Sequence, residues 1–112
     1  MQKRFLLLTE RHKNEILSHM PTRCKTQALA SYFQNFSDNT RLRIITCLSI
    51  CDMCVNDISN LLHINQTTVS HQLKILRSEK IVSFRRDGKI LLYSLQNKSI
   101  NDLMLSAINA VG

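Results

Sequence analysis

The tightest constraint on this chain lies between Val55 and Leu95, where a helical apolar period gives way to a period of two. Val55, Ile58, Leu61 and Leu62 recur at helical spacing. Asn65 can then cap a helix running to about Glu79, on which Val69, Leu73 and Leu76 fall at i, i+4 and i+7. The tight link His63 to Asn65 makes the pair a helix-turn-helix candidate. From Ile81 the pattern changes: Ile81 to Arg86 and Lys89 to Leu95 alternate as strands do. Asp87-Gly88 between them is a two-residue hairpin signal that asks for positive φ at both positions. Helix, turn, helix and basic hairpin in this order predict an α+β, mostly α, winged helix-turn-helix with a two-stranded wing.

The flanking sequence fits this frame. Gln2 to Met20 carries Phe5, Leu8, His12 and Ile16 at helical spacing and is ended by Pro21. A second helix is expected from about Thr26 to Phe36, with Leu29, Tyr32, Phe33 and Phe36 on one side. Ser37-Asp38 offers a cap for a third helix carrying Leu42, Ile44, Ile45, Cys47 and Leu48. The last segment, Lys98 to Val111, places Ile100, Leu103, Met104, Ala107, Ile108 and Val111 on one face, a stripe wide enough to pack outside its own small domain. With 112 residues, 44% of them hydrophobic, two glycines and one proline, the chain reads as one compact domain over 1–112. The expected helix order is four helices, the reading helix, the hairpin and a last helix, with the terminal helices (about 2–20 and 98–111) forming a homodimer interface.

Charge bears on the partner. Lysine and arginine outnumber acids 15 to 8, for a net charge of +7. Between Asn65 and Leu95, six bases (Lys74, Arg77, Lys80, Arg85, Arg86, Lys89) stand against two acids (Glu79, Asp87), a local +4. On charge alone an ordinary solvated surface accounts for this; position makes the difference. Opposite the apolar stripe of the Gln66 to Arg77 helix lie Thr67, Ser70, His71, Lys74 and Arg77, joined near its start by Gln66 and Thr68. Short hydroxyl, amide and imidazole groups suit base edges in a major groove, while Lys74 and Arg77 reach phosphates. Arg85, Arg86 and Lys89 flank the hairpin tip, where a minor groove or its phosphates would meet them. The expected partner is double-stranded operator DNA, with no cofactor needed for binding.

Other classes fit less well. No apolar run approaches the ~20 residues of a membrane span, and Phe5 to Leu8 is too short for a signal-peptide core, so a cytoplasmic protein is expected. There the four cysteines, Cys24, Cys47, Cys51 and Cys54, are expected as thiols. Cys51 and Cys54 form a C-x-x-C at a helix start, where the peptide dipole favours negative charge. Soft ions prefer such ligands, and Cys24 is the candidate third, from the same or the partner subunit. Cys47, amid apolar residues, reads as core; His12 reads as helix surface and Asp57 as a capping or solvated residue, both weaker ligand candidates. A C-x-x-C also marks thiol oxidoreductases, but these place it after a strand in a βαβ pattern that is missing here, so no enzyme is expected. A winged-helix protein-interaction module without DNA binding is the remaining class, and the basic hairpin and donor-rich helix argue against it.

From Asn35 to Leu95 the chain resembles the ArsR/SmtB family of bacterial metal- and metalloid-responsive winged-helix repressors. The matching stretches are FSDNTRLRIITCL (36–48), CVNDISNLLHINQTT (54–68) and VSHQLKILRSEKIVSFRRDGKILLYSL (69–95). The resemblance implies a dimer built from the first and last helices and release of operator DNA when an inducer binds. The inducer sites depart from the family's patterns. Its Cys-Val-Cys-Asp box is Cys54-Val55-Asn56-Asp57 here, lacking the second thiol. The places of its last-helix zinc ligands hold Asn97, Ser99 and Ala110. The inducer candidates are therefore As(III), Cd(II), Pb(II) or Zn(II) at Cys24, Cys51 and Cys54, or oxidation of the same thiols.

Overall fold

The structure, a computed structural model, describes residues 5–112. Among the described residues six helices and one hairpin follow in the order α1 (Glu10–His19), α2 (Arg23–Gln34), α3 (Asn39–Ile50), α4 (Val55–Leu62), α5 (Gln66–Ser78), β1 (Val82–Asp87), β2 (Ile90–Leu95) and α6 (Lys98–Val111). The chain divides into two compact units, Met1–Ser31 and Tyr32–Gly112.

In the first unit α1 is shorter than its apolar spacing predicts. Residues 2–4 of the expected helix lie outside the described residues, and Phe5 and Leu8 precede the helix rather than joining its face. The reason is the cap: Thr9 is extended and its hydroxyl accepts the His12 amide, so the helix begins at Glu10. No residue of α1 is buried, and Ile16, Leu17 and Met20 remain open to solvent. The second helix starts earlier than Thr26, at Arg23, because the Thr22 hydroxyl accepts the Lys25 amide just after Pro21.

The second unit is built around α3. Asp38 Oδ1 accepts the Arg41 amide at 2.9 Å and starts the helix, whose Ile44, Ile45 and Leu48 are buried. Against them pack Ile58 of α4, Val69, Leu73 and Leu76 of α5, Ile81 and Val82 leading into the wing, and Ile100 and Met104 of α6. Burying both flanks of α5 this way fixes which face it turns outward.

Two chain reversals set the site. Between α4 and α5, His63 takes the left-handed conformation (φ 55°, ψ 46°). Buried Ser59 clamps that turn from both sides: its carbonyl accepts the His63 and Ile64 amides and its hydroxyl donates to the Ile64 carbonyl. After α5, Lys80 is left-handed (φ 60°), with Lys80 N–H on Arg77 O at 3.0 Å and Ile81 N–H on Leu76 O at 2.9 Å. That pair of bonds is a Schellman C-cap, and it aims β1 off the end of α5.

The hairpin register corrects one expectation. Asp87 pairs with Ile90, so Gly88-Lys89 is the two-residue loop and Asp87 belongs to β1. Only Gly88 has positive φ, +65°, the pattern of a turn with glycine first rather than one needing two left-handed residues. Asp87 thereby escapes a strained conformation and gains a ladder partner.

Candidate nucleic-acid interface

With Val69, Leu73 and Leu76 buried, α5 leaves Gln66, Thr67, Thr68, Ser70, His71, Lys74 and Arg77 exposed. Its first turn is held by Asn65, whose Oδ1 accepts the Thr67 amide at 2.7 Å. Gln66 is engaged: its Nε2 donates to Asn56 Oδ1 of α4 at 2.8 Å, which ties the start of α5 across the turn. Gln72, on the flank, accepts from Arg41 Nε at 2.7 Å and fastens α5 to α3. Thr67, Thr68, Ser70 and His71 keep their side-chain donors and acceptors toward solvent.

The wing's basic residues divide by what holds them. Arg85 Nη1 lies 3.1 Å from Asp52 Oδ2, an ion pair at the surface. Arg77 stacks its guanidinium 4.1 Å over the Phe84 ring, joining α5 to β1 by a cation–π contact. Phe84 is itself backed by Tyr93 on the neighbouring strand, ring centroids 5.5 Å apart. Lys74, Arg86 and Lys89 are exposed and take part in no ion pair among the described residues. Asp52, Asn56, Gln72 and Phe84 escaped the sequence reading because each acts through a partner on another element, and Asp52 alone carried a signal, an acid inside the C-x-x-C.

Among the described residues no group of three or more His, Cys, Asp or Glu side chains is placed to hold a metal ion. Cys51 is exposed, its thiol donating to the Asp52 carbonyl at 3.3 Å; Cys54, half-buried, caps α4 with no side-chain bond. The segment between them carries no turn, and Met53 exchanges backbone bonds with Tyr93 at 3.1 and 2.8 Å, a short third rung beside the wing. Bridging two thiols requires their Cα atoms within about 7 Å, hence a turn at Asp52-Met53 that this rung opposes. Cys47 is buried in α3, and burial pushes its thiol up, partly offset by the Arg43 charge, as suits a core residue. Cys24 is exposed. His12 and Asp57 are also exposed, and Asp57 lies in the first turn of α4 without being its cap.

A helix-turn-helix whose second helix presents an uncommitted polar face, followed by a basic hairpin, defines a winged-helix protein of the nucleic-acid-binding type. Residues 38–83 match the family model described as the arsR family of bacterial regulatory proteins. The chain is 34% identical over 85 residues to the cadmium resistance transcriptional regulatory protein CadC of Listeria innocua, covering 75% of this chain and 71% of that one. It is 35% identical over 79 residues to the transcriptional repressor SmtB homolog of Synechocystis, covering 70% of this chain but only 60% of that protein's length. In fold it is similar to the homodimeric winged helix-turn-helix DNA-binding domain Mb0332 of Mycobacterium bovis, with a TM-score of 0.70 at 21% identity over 96% of this chain and 90% of that one. The chain belongs to the arsR family, whose members are transcriptional regulators and not enzymes.

Proposed function

We propose that the chain is a homodimeric, sequence-specific repressor that binds double-stranded operator DNA. In this reading α5 enters the major groove, Thr67, Thr68, Ser70 and His71 meet base edges, and Gln66 does so by exchanging its bond to Asn56. Lys74 and Arg77 meet phosphates, as do Arg85, Arg86 and Lys89 of the wing at the adjacent minor groove. The observation that supports it best is the division of α5: three apolar residues wholly buried, and Thr67, Thr68, Ser70, His71 and Lys74 exposed beside a basic hairpin.

Dimerisation is assigned to the first and last helices. Leu103, Leu105, Ile108 and Val111 of α6 are 39–90% exposed, too much apolar surface for a helix end that covers only its own core. An apolar groove of about 570 Å³ runs along α6, lined by Phe33, Phe36, Leu42, Leu103 and Ile108. The homodimeric Mb0332 domain has the same fold.

Induction is assigned to the Cys51 and Cys54 thiols, responding to a soft ion such as Cd(II), Pb(II), As(III) or Zn(II), with Cys24 of either copy as the candidate third ligand. The Listeria relative is a cadmium resistance regulator, which favours an ion over an oxidant.

Gel shifts on the chain's own promoter DNA test both parts. Lys74→Ala with Arg86→Ala should abolish retention at moderate salt; unchanged retention refutes DNA binding through these elements. Release by Cd(II) or As(III) should be lost in Cys51→Ser or Cys54→Ser, and release unaltered in both variants refutes the thiol assignment.

A further inference from the structure

The ion pair between the C-x-x-C segment and the wing is not needed to hold the fold. Asp52 and Arg85 are 33 residues apart in sequence, and their side chains are 40% and 63% exposed. An exposed pair of this kind contributes about 0–1 kcal/mol to stability, so it exchanges readily for another partner. The backbone around it is firm: Met53 is bonded in both directions to Tyr93, and Phe84, the neighbour of Arg85, is packed between Tyr93 and the Arg77 guanidinium. Asp52 is therefore held beside a wing that carries Arg85, Arg86 and Lys89, and it is the acid that pairs with one of these three.

We propose that Asp52 is a positioning residue that acts as the internal counter-ion of Arg85, competing with DNA phosphate and weakening the wing's grip so that the repressor remains releasable. The proposal rests on the DNA-binding reading above. For Arg85 to neutralise a phosphate it must give up its bond to Asp52, so carboxylate and phosphate compete for one guanidinium. Each phosphate neutralised contributes about 0.9 to the slope of log K against log salt. Pairing with Asp52 withholds that contribution from each copy.

The experiment is a titration of promoter DNA at several NaCl concentrations with the full chain and with Asp52→Asn, Asp52→Glu, Arg85→Ala and Asp52→Asn/Arg85→Ala. Asp52→Asn should bind severalfold tighter at low salt, with a slope steeper by about 1 per copy, so about 2 in a dimer. Asp52→Glu, which keeps the carboxylate, should restore the parent slope. In the Arg85→Ala background Asp52→Asn should change nothing. Equal or weaker binding by Asp52→Asn overturns the proposal, and so does a gain of the same size without Arg85, because the carboxylate would then act on DNA at long range. Failure of the unaltered chain to bind overturns the DNA-binding reading and this proposal with it.

Discussion

Replacing Lys74 by alanine isolates the phosphate-binding part of the proposed interface. Lys74 lies on the exposed face of α5 between buried Leu73 and half-buried Ile75, and alanine is the better helix former, so folding should be untouched. Of the five cations assigned to the interface, Lys74, Arg86 and Lys89 are exposed and in no ion pair among the described residues, whereas Arg85 is paired and Arg77 is stacked. Through these three alone a dimer neutralises about six phosphates, and log K should fall against log salt with a slope of about −5 or steeper. Between 50 and 200 mM salt the affinity should drop by roughly a thousandfold. Lys74→Ala removes one contact per copy, so the slope should become shallower by about 2 and the same salt step should weaken binding only about a hundredfold. Fluorescence anisotropy of labelled promoter DNA across that range measures both, with the thermal midpoint as a control on folding. An unchanged slope at an unchanged thermal midpoint would refute the placement of α5 against the DNA backbone.

Other consequences bear on the scaffold. Leu73→Ala, at a fully buried position of the core, should destabilise by about 2–5 kcal/mol in urea unfolding, and a loss under 1 kcal/mol would contradict the packing. Ser59→Ala removes the hydroxyl bond to the Ile64 carbonyl and should lower stability by about 1 kcal/mol, read from the denaturant midpoint. Lys80→Gly relieves a left-handed lysine at the C-cap and should raise the thermal midpoint by the equivalent of about 1 kcal/mol. Because burial keeps the Cys47 proton on in the folded chain, the unfolded chain loses its proton first as pH rises. Stability should therefore be full below the ordinary thiol range and decline above it, and Cys47→Ala should remove that part of the alkaline decline in parallel urea melts.

Local signals carried most of the fold. The α4 bounds, the Asn65 and Asp38 caps, the burial of Val69, Leu73 and Leu76 and the order of elements follow from apolar spacing and capping chemistry, which act over a few residues. The exposure of the reading face is the other side of the same periodicity. Apolar spacing alone misled at α1, where the Thr9 cap cut Phe5 and Leu8 away from the helix, and turn chemistry misled by one residue at Gly88-Lys89, where strand pairing rather than the Asp-Gly dipeptide set the register.

Tertiary structure decided which charges are free. The sequence presents Arg77, Arg85, Arg86 and Lys89 as equivalent cations, and only the folded wing stacks Arg77 on Phe84 and pairs Arg85 with Asp52. The C-x-x-C spacing likewise suggests two cooperating thiols, while the Met53–Tyr93 rung keeps the segment between them without a turn. Helical and strand periods are written in neighbouring residues, so they survive in the sequence. An ion pair or a backbone rung between residues 30 to 40 positions apart exists only after the core has brought those segments together.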